Sequence, residues 1–200
     1  FGVIALCFLG VAEGAYAAYG PDSSENSDAN MVAMYQIDGN FSFVEIGSGT
    51  EVIADSAQIS ASSDAVDVSG LNVVGFRIAT SHTDNEQACN FLANTEDDEV
   101  GYEGGIQDFY VTESGIQENL ESELYFINQS LVGTTTNSSS SEIDASLAGG
   151  DSGIGTYDFT ISVVVNSGGS PVCQNGDSDE SVDWVVSLII LDYTLTEVKE

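Results

Sequence analysis

The sequence predicts a mostly β fold, with an N-terminal apolar helix followed by an antiparallel β-sandwich. Three observations carry that reading. Residues 1–19 are almost entirely apolar, with Glu13 the only charge, and Gly20-Pro21 ends the run. From residue 31 onward short apolar or alternating stretches recur between Gly, Ser, Asn and Asp clusters, the pattern of strands and turns. The chain has 200 residues, 42% of them hydrophobic, which is enough for one β-domain with a substantial core.

The first segment reads as a helix because Ala, Leu, Glu and Cys outnumber β-branched residues and a Gly-Pro pair stops it. About twenty residues at about 1.5 Å each cover roughly 30 Å, the thickness of a bilayer's hydrocarbon core. It is apolar on all sides, so it needs lipid or other protein around it. Phe1, Val3, Ile4, Leu6, Phe8 and Leu9 are its candidate assembly residues, and Gly10, Gly14 and Ala18 form a small-residue stripe that lets helices approach closely. A long donated β-strand is the competing reading of the same stretch. The triplet Ala15-Tyr16-Ala17 resembles a signal-peptide cleavage site, but the segment is expected to belong to the working protein.

Residues 20–30 are polar and read as a hinge, and residues 31–200 as the acidic β-sandwich domain. Candidate strands are 31–37, 41–46, 51–54, 65–69, 71–80, 106–112, 123–132, 157–166 and 182–196, with no internal helix. The clearest alternation places Tyr157, Phe159, Ile161, Val163 and Val165 on one face, with Asp158, Thr160 and Ser162 on the other. The stretch from Trp184 to Leu195 has few polar residues on either face, which predicts a strand in the middle of a sheet. Residues 134–153, rich in Ser, Thr and Gly, read as an exposed loop.

Charge narrows the possible functions. Thirty-three acidic residues against two basic ones, Arg77 and Lys199, give a formal charge of −31. Such a chain repels nucleic acid, whose phosphates are held by Lys and Arg. The acid excess suits a saline or cation-rich exterior, where ions screen self-repulsion. Arg77, alone in an apolar strand, is expected to pair with a carboxylate.

Motifs for chemistry are sparse. Cys89 and Cys173 lie in polar stretches and read as one disulfide in an oxidising compartment, with two separate thiols as the alternative; Cys7 reads as a small hydrophobe. Sequons occur at Asn40, Asn128 and Asn137, and Asn137 in the Ser/Thr-rich stretch is the foremost candidate for an N-linked glycan. Asp177, Asp179 and Glu180 form a candidate Ca²⁺ cluster and Glu96, Asp97, Asp98 and Glu99 a second, against a reading of both as solvated loop charge. Gly150-Asp151-Ser152-Gly153 resembles the nucleophile signature of chymotrypsin-like serine proteases, with His82 as the sole histidine. Ile154-Gly155 departs from that pattern, and no catalytic residues and no cofactor are assigned.

The layout of Phe1, the apolar run to Tyr19 and the β-rich remainder resembles type IV pilin-like proteins, archaellins included. The resemblance is architectural. Where bacterial pilins carry a Glu at position 5, this chain has Ala5, and its apolar run is short. It implies an extracellular, cell-surface filament subunit that polymerises with copies of itself through residues 1–19, meets a membrane during assembly and turns its β-domain to solvent. Donor-strand assembly and a membrane-anchored ectodomain binding a ligand or cations are the alternatives.

Overall fold

The computed structural model describes residues 31–54, 56–62, 68–82, 96–106, 108–150, 159–168 and 179–199. The predicted helix 1–19 and the hinge 20–30 lie outside them. The described residues are mostly β and antiparallel, in two sheets.

The larger sheet has five strands in the order β6 (Asn119–Tyr125), β3 (Val73–His82), β9 (Asp179–Glu197), β1 (Val32–Ala54) and β7 (Thr135–Ser139). The smaller has β2 (Gln58–Ala61), β8 (Phe159–Gly168), β4 (Glu96–Ile106) and β5 (Phe109–Gly115), in that order. The two sheets meet at one corner, where the Ser122 hydroxyl on β6 donates to Glu113 on β5 at 3.2 Å.

β1 and β9 set the plan. They pair from Tyr35↔Glu197 to Ala54↔Asp179, with a single irregularity between Glu45 and Gly47. A strand of 23 residues covers about 75 Å, several times the usual length. No single core is that long. Instead two buried clusters lie on opposite faces of the ribbon, offset along it.

Around residues 44–53 of β1, one face of the larger sheet packs on the smaller sheet. Phe76, Ile78, Val186 and Leu188 meet Val100, Tyr102 and Ile106 there. Further along, the opposite face carries Ile37, Ile189 and Leu191, covered by Ile143 and Leu147 of helix α1 (Ser140–Leu147). The clusters overlap at Val186–Leu191 of β9, where every residue is buried. That overlap is the physical reason for the apolar run from Trp184, and the predicted central strand is indeed third of five.

Several sequence expectations are corrected. The predicted strands 31–37, 41–46 and 51–54 are one strand. Gly39 and Gly49 looked like turn residues but are packing residues. A Cβ on Gly39 would stand 2.8 Å from the Val132 side chain, and one on Gly49 would stand 2.8–2.9 Å from the Trp184 indole. The predicted strand 106–112 is a hairpin, since β4 ends at Ile106 and β5 begins at Phe109, paired to it. The predicted strand 123–132 is the end of β6 followed by a 3₁₀ turn at Gln129–Leu131. Val68, within the predicted strand 65–69, lies in no strand, and residues 65–67 are outside the described set.

The expected loop 134–153 contains β7 and helix α1. Ser139 caps α1 by accepting from the Glu142 N–H, and the Glu142 carboxylate accepts from the Ser139 N–H at 3.1 Å. The Ser139 cap, its half of this reciprocal box, contributes about 1 kcal/mol. Ile143 and Leu147, four residues apart, put one apolar stripe against the sheet. The Tyr193 hydroxyl donates to Asp144 at 2.7 Å, fastening α1 to β9. Burial, with that bond and the Asp144 charge, pushes the Tyr193 phenol up to about 12.

Two outcomes are expected. Gly49→Val forces the buried indole of Trp184 to move and lowers stability by about 1–3 kcal/mol, measurable by urea unfolding followed through the chain's single tryptophan. The Glu142 carboxyl is held below its ordinary range by bonds from the Ser138 hydroxyl, the Ser139 N–H and the Ser139 side chain. A depressed carboxylate stabilises the fold above its unfolded pKa, and the contribution is lost as pH falls through the folded one. The melting-temperature gap between the parent and Glu142→Gln should therefore be constant near neutrality and shrink below about pH 4.5.

Candidate assembly surface

The smaller sheet covers only part of the ribbon. Beyond it, the same face of the larger sheet continues uncovered on three strands, β7, β1 and the end of β9. In antiparallel pairs, directly opposite residues share a face. Met34 is opposite Asn137 on β7, and on its other side the Val198 N–H donates to the Met34 carbonyl at 2.8 Å. Val32 and Gln36, two residues either way along β1, point the same way. Gln36 is opposite Thr135 and Thr196, and its side-chain oxygen accepts from the Thr135 hydroxyl at 2.7 Å.

Among the described residues, no ionisable side chain stands on these three strands between the Val32 and Gln36 rows of that face. Asp38 and Asp192 mark its boundary toward the smaller sheet. Val32 is 64% exposed, Met34 44% and Val198 42%. Met31, 61% exposed, adjoins them where the chain enters the domain. In a protein of charge −31, an exposed face of Val, Met, Thr, Gln and Asn is where a partner is repelled least. The sequence held a signal for it. Residues 31–37 are apolar at both parities, more than a one-sided strand requires.

Beyond the part covered by α1, the opposite face of the ribbon is charged. Arg77 reaches across Ser187, its guanidinium 4.3 Å from the Phe43 ring centroid and 3.5 Å from a Glu121 oxygen. The expected carboxylate partner is Glu121, half exposed, so the pair contributes under about 1 kcal/mol. Ser187 is buried beneath it.

The other sequence-derived sites fare unevenly. Asn40 and Asn137 are exposed on the uncovered face. Asn128 is exposed, but its side-chain oxygen already accepts from the Ser130 N–H and hydroxyl at 3.2 and 2.7 Å. Asp179 and Glu180 do not form a loop cluster. They are successive residues of β9 and project to opposite faces, and Glu180 is fully buried with its carboxylate accepting the Ser181 N–H. Asp177 lies outside the described residues. Glu96 to Glu99 likewise open strand β4 rather than a loop.

Among the described residues no group of three or more metal-ligating side chains comes together, and no helix is long and apolar enough to cross a membrane. His82 ends β3, whereas Gly149 is hydrogen-bonded to Asn72 at that strand's other end, about 33 Å away. His82 and Gly149, the residue before the Gly150 motif, thus stand at opposite ends of one strand. Asp151, Ser152 and Gly153 lie outside the described residues, as do Phe1, Val3, Ile4, Leu6, Phe8 and Leu9, the stripe Gly10, Gly14 and Ala18, and both Cys89 and Cys173.

No protein-family model matches the chain, and no curated protein matches it.

The strand registers bear on the cysteines through their flanks. His82, at the end of β3, is opposite Val182 of β9, and Glu96, at the start of β4, is opposite Gly168 at the end of β8. Residues 83–95 and 169–178 therefore leave and arrive at neighbouring strand ends, and Cys89 and Cys173 stand near the middle of their segments. Peptide mapping of unreduced protein is expected to recover Cys89 joined to Cys173. Free thiols at both positions would contradict the pairing.

Proposed function

We propose that this chain is the structural subunit of an extracellular filament. Residues 1–19 drive polymerisation, and the acidic β-domain coats the polymer. The observation that carries the reading is the joining of two opposites in one chain. Nineteen residues with a single charge are linked by eleven polar ones to a β-domain that carries almost all of a −31 charge. The apolar part demands cover, and removing it from water at about 25 cal/mol per Å² gives tens of kcal/mol before ordering costs. The acidic part demands solvent.

The architecture of the described residues supports the same division. The domain has its own two-sided core, so it can face water as a unit, and its chain enters at the uncharged end. The acid excess and the expected Cys89–Cys173 pair support cell-surface placement.

Electron microscopy of native material in high salt without detergent is expected to show uniform filaments. At about 1 M salt the Debye length is about 3 Å, against about 10 Å at 0.1 M, so the filaments should loosen on dialysis to low salt and re-form on its return. Discrete monomers, or particles held in lipid at every salt concentration, would overturn the reading.

A further inference from the structure

We propose that the uncharged face around Met34 is the seat for the apolar segment 1–19 of a neighbouring copy of this chain. The inference rests on the filament reading and supplies the surface on which one subunit receives the next.

The segment has one acid in nineteen residues, and a surface lined with carboxylates would be a poor host for it. Among the described residues, the face around Met34 carries none between the Val32 and Gln36 rows. Val32, Met34 and Val198 supply apolar contact, while the Gln36 side-chain oxygen accepts from the Thr135 hydroxyl and its amide donates to Asp38 at 3.4 Å. Three strands about 4.8 Å apart, over the rows from Val32 to Gln36, give a strip of roughly 15 by 15 Å, wide enough for one helix and long enough for about ten of its residues.

The margin toward the smaller sheet is acidic, at Asp38 and Asp192, and the far end carries a base. Lys199 follows Val198 directly and is exposed, and it is one of two basic residues in the chain. Arg77, the other, is engaged by Phe43 and Glu121. Of the two bases, Lys199 is the one beside the face and the one offered to Glu13, the segment's only charge.

A filament requires the donor to be the neighbour, and eleven residues of linker, about 36 Å at full extension, are long enough for the segment to leave its own domain and reach another. Donor and acceptor are different parts of one chain, so between copies the contact is head-to-tail, which builds an open filament wherever its rotation does not close a ring. That is the contact a filament requires.

The test places the photo-crosslinking residue p-benzoylphenylalanine in the full-length chain, either at Met34 or at Val52. Val52 is 67% exposed at the far end of β1 and points to the opposite face. Both chains are assembled in high salt and irradiated. Position 34 is expected to give covalent dimers several-fold more abundant than position 52, with the adduct mapping to peptides from residues 1–19. Met34→Asp is expected to raise the concentration needed for assembly by tenfold or more, and Met34→Leu to leave it unchanged. Filaments in which position 34 links no better than 52, links only within one chain, or links to peptides other than 1–19 would overturn the inference and leave the filament reading standing. So would an N-linked glycan at Asn137, which faces the same strip beside Met34. A chain that forms no filaments overturns both.

Discussion

Everything described in this fold hangs on the pairing of β1 with β9. An antiparallel ribbon of this length cannot bury one face throughout, because no single layer is long enough to cover it. The chain meets the constraint with two layers, the smaller sheet on one face and α1 on the other, offset along the ribbon. Where they overlap, β9 must be apolar on both sides, and Val186 to Leu191 are. Where neither layer reaches, a face is left open. The bare face around Met34 is thus a geometric consequence of the way the two cores are staggered, and its composition is a separate choice.

That choice stands out against the charge. Elsewhere the exposed positions of the same sheet carry Glu45, Glu121 and Glu123, and the chain's one guanidinium is spent on holding Phe43 and Glu121 over Ser187. At the open end of the other face, the described solvent-facing positions carry Thr, Gln and Asn beside Val and Met. A domain that needed only solubility would gain from acids there as it does everywhere else. Their absence gives the end an electrostatic character of its own, and on the proposed reading it makes this the end at which copies meet.

The sequence made some of this legible. The central strand could be read from apolar residues at both parities, and the strand β8 from strict alternation. What it concealed followed from ambiguity in small residues. Glycine marks a turn when it supplies a conformation and marks close packing when it supplies space. Gly39 and Gly49 do the second, under Val132 and Trp184, so one long strand read as three. Serine and threonine mark loops in bulk, and their abundance at 134–141 hid a capping box whose only local clue was Glu142 three residues after Ser139. The acids at 96–99 and 179–180 read as loops because charge runs usually are, and here strand register with β8 and β1 outweighs that preference. The uncharged face was the least legible part. It joins β1, β7 and the end of β9, which lie about 100 and 160 residues apart in the chain, and only the registers bring them together.

The registers also bear on how a donated segment could be held. An incoming strand that paired with an edge would find β7, five residues long, bounded by Gly133 at φ +82° on one side and by the helix-capping Ser139 on the other. At the far edge of the smaller sheet it would find β2, four residues long. The edges β5 and β6 lie against each other at the corner joined by Ser122 and Glu113. Five residues of ladder offer few hydrogen bonds to a segment of nineteen, and short polar edges are how β-proteins avoid open-ended pairing. The face beside β7 offers three strands' width of Val, Met and Thr instead. A segment that is apolar on all sides gains from burying side chains more than from borrowing an edge, so the architecture favours seating on the face over extension of the sheet.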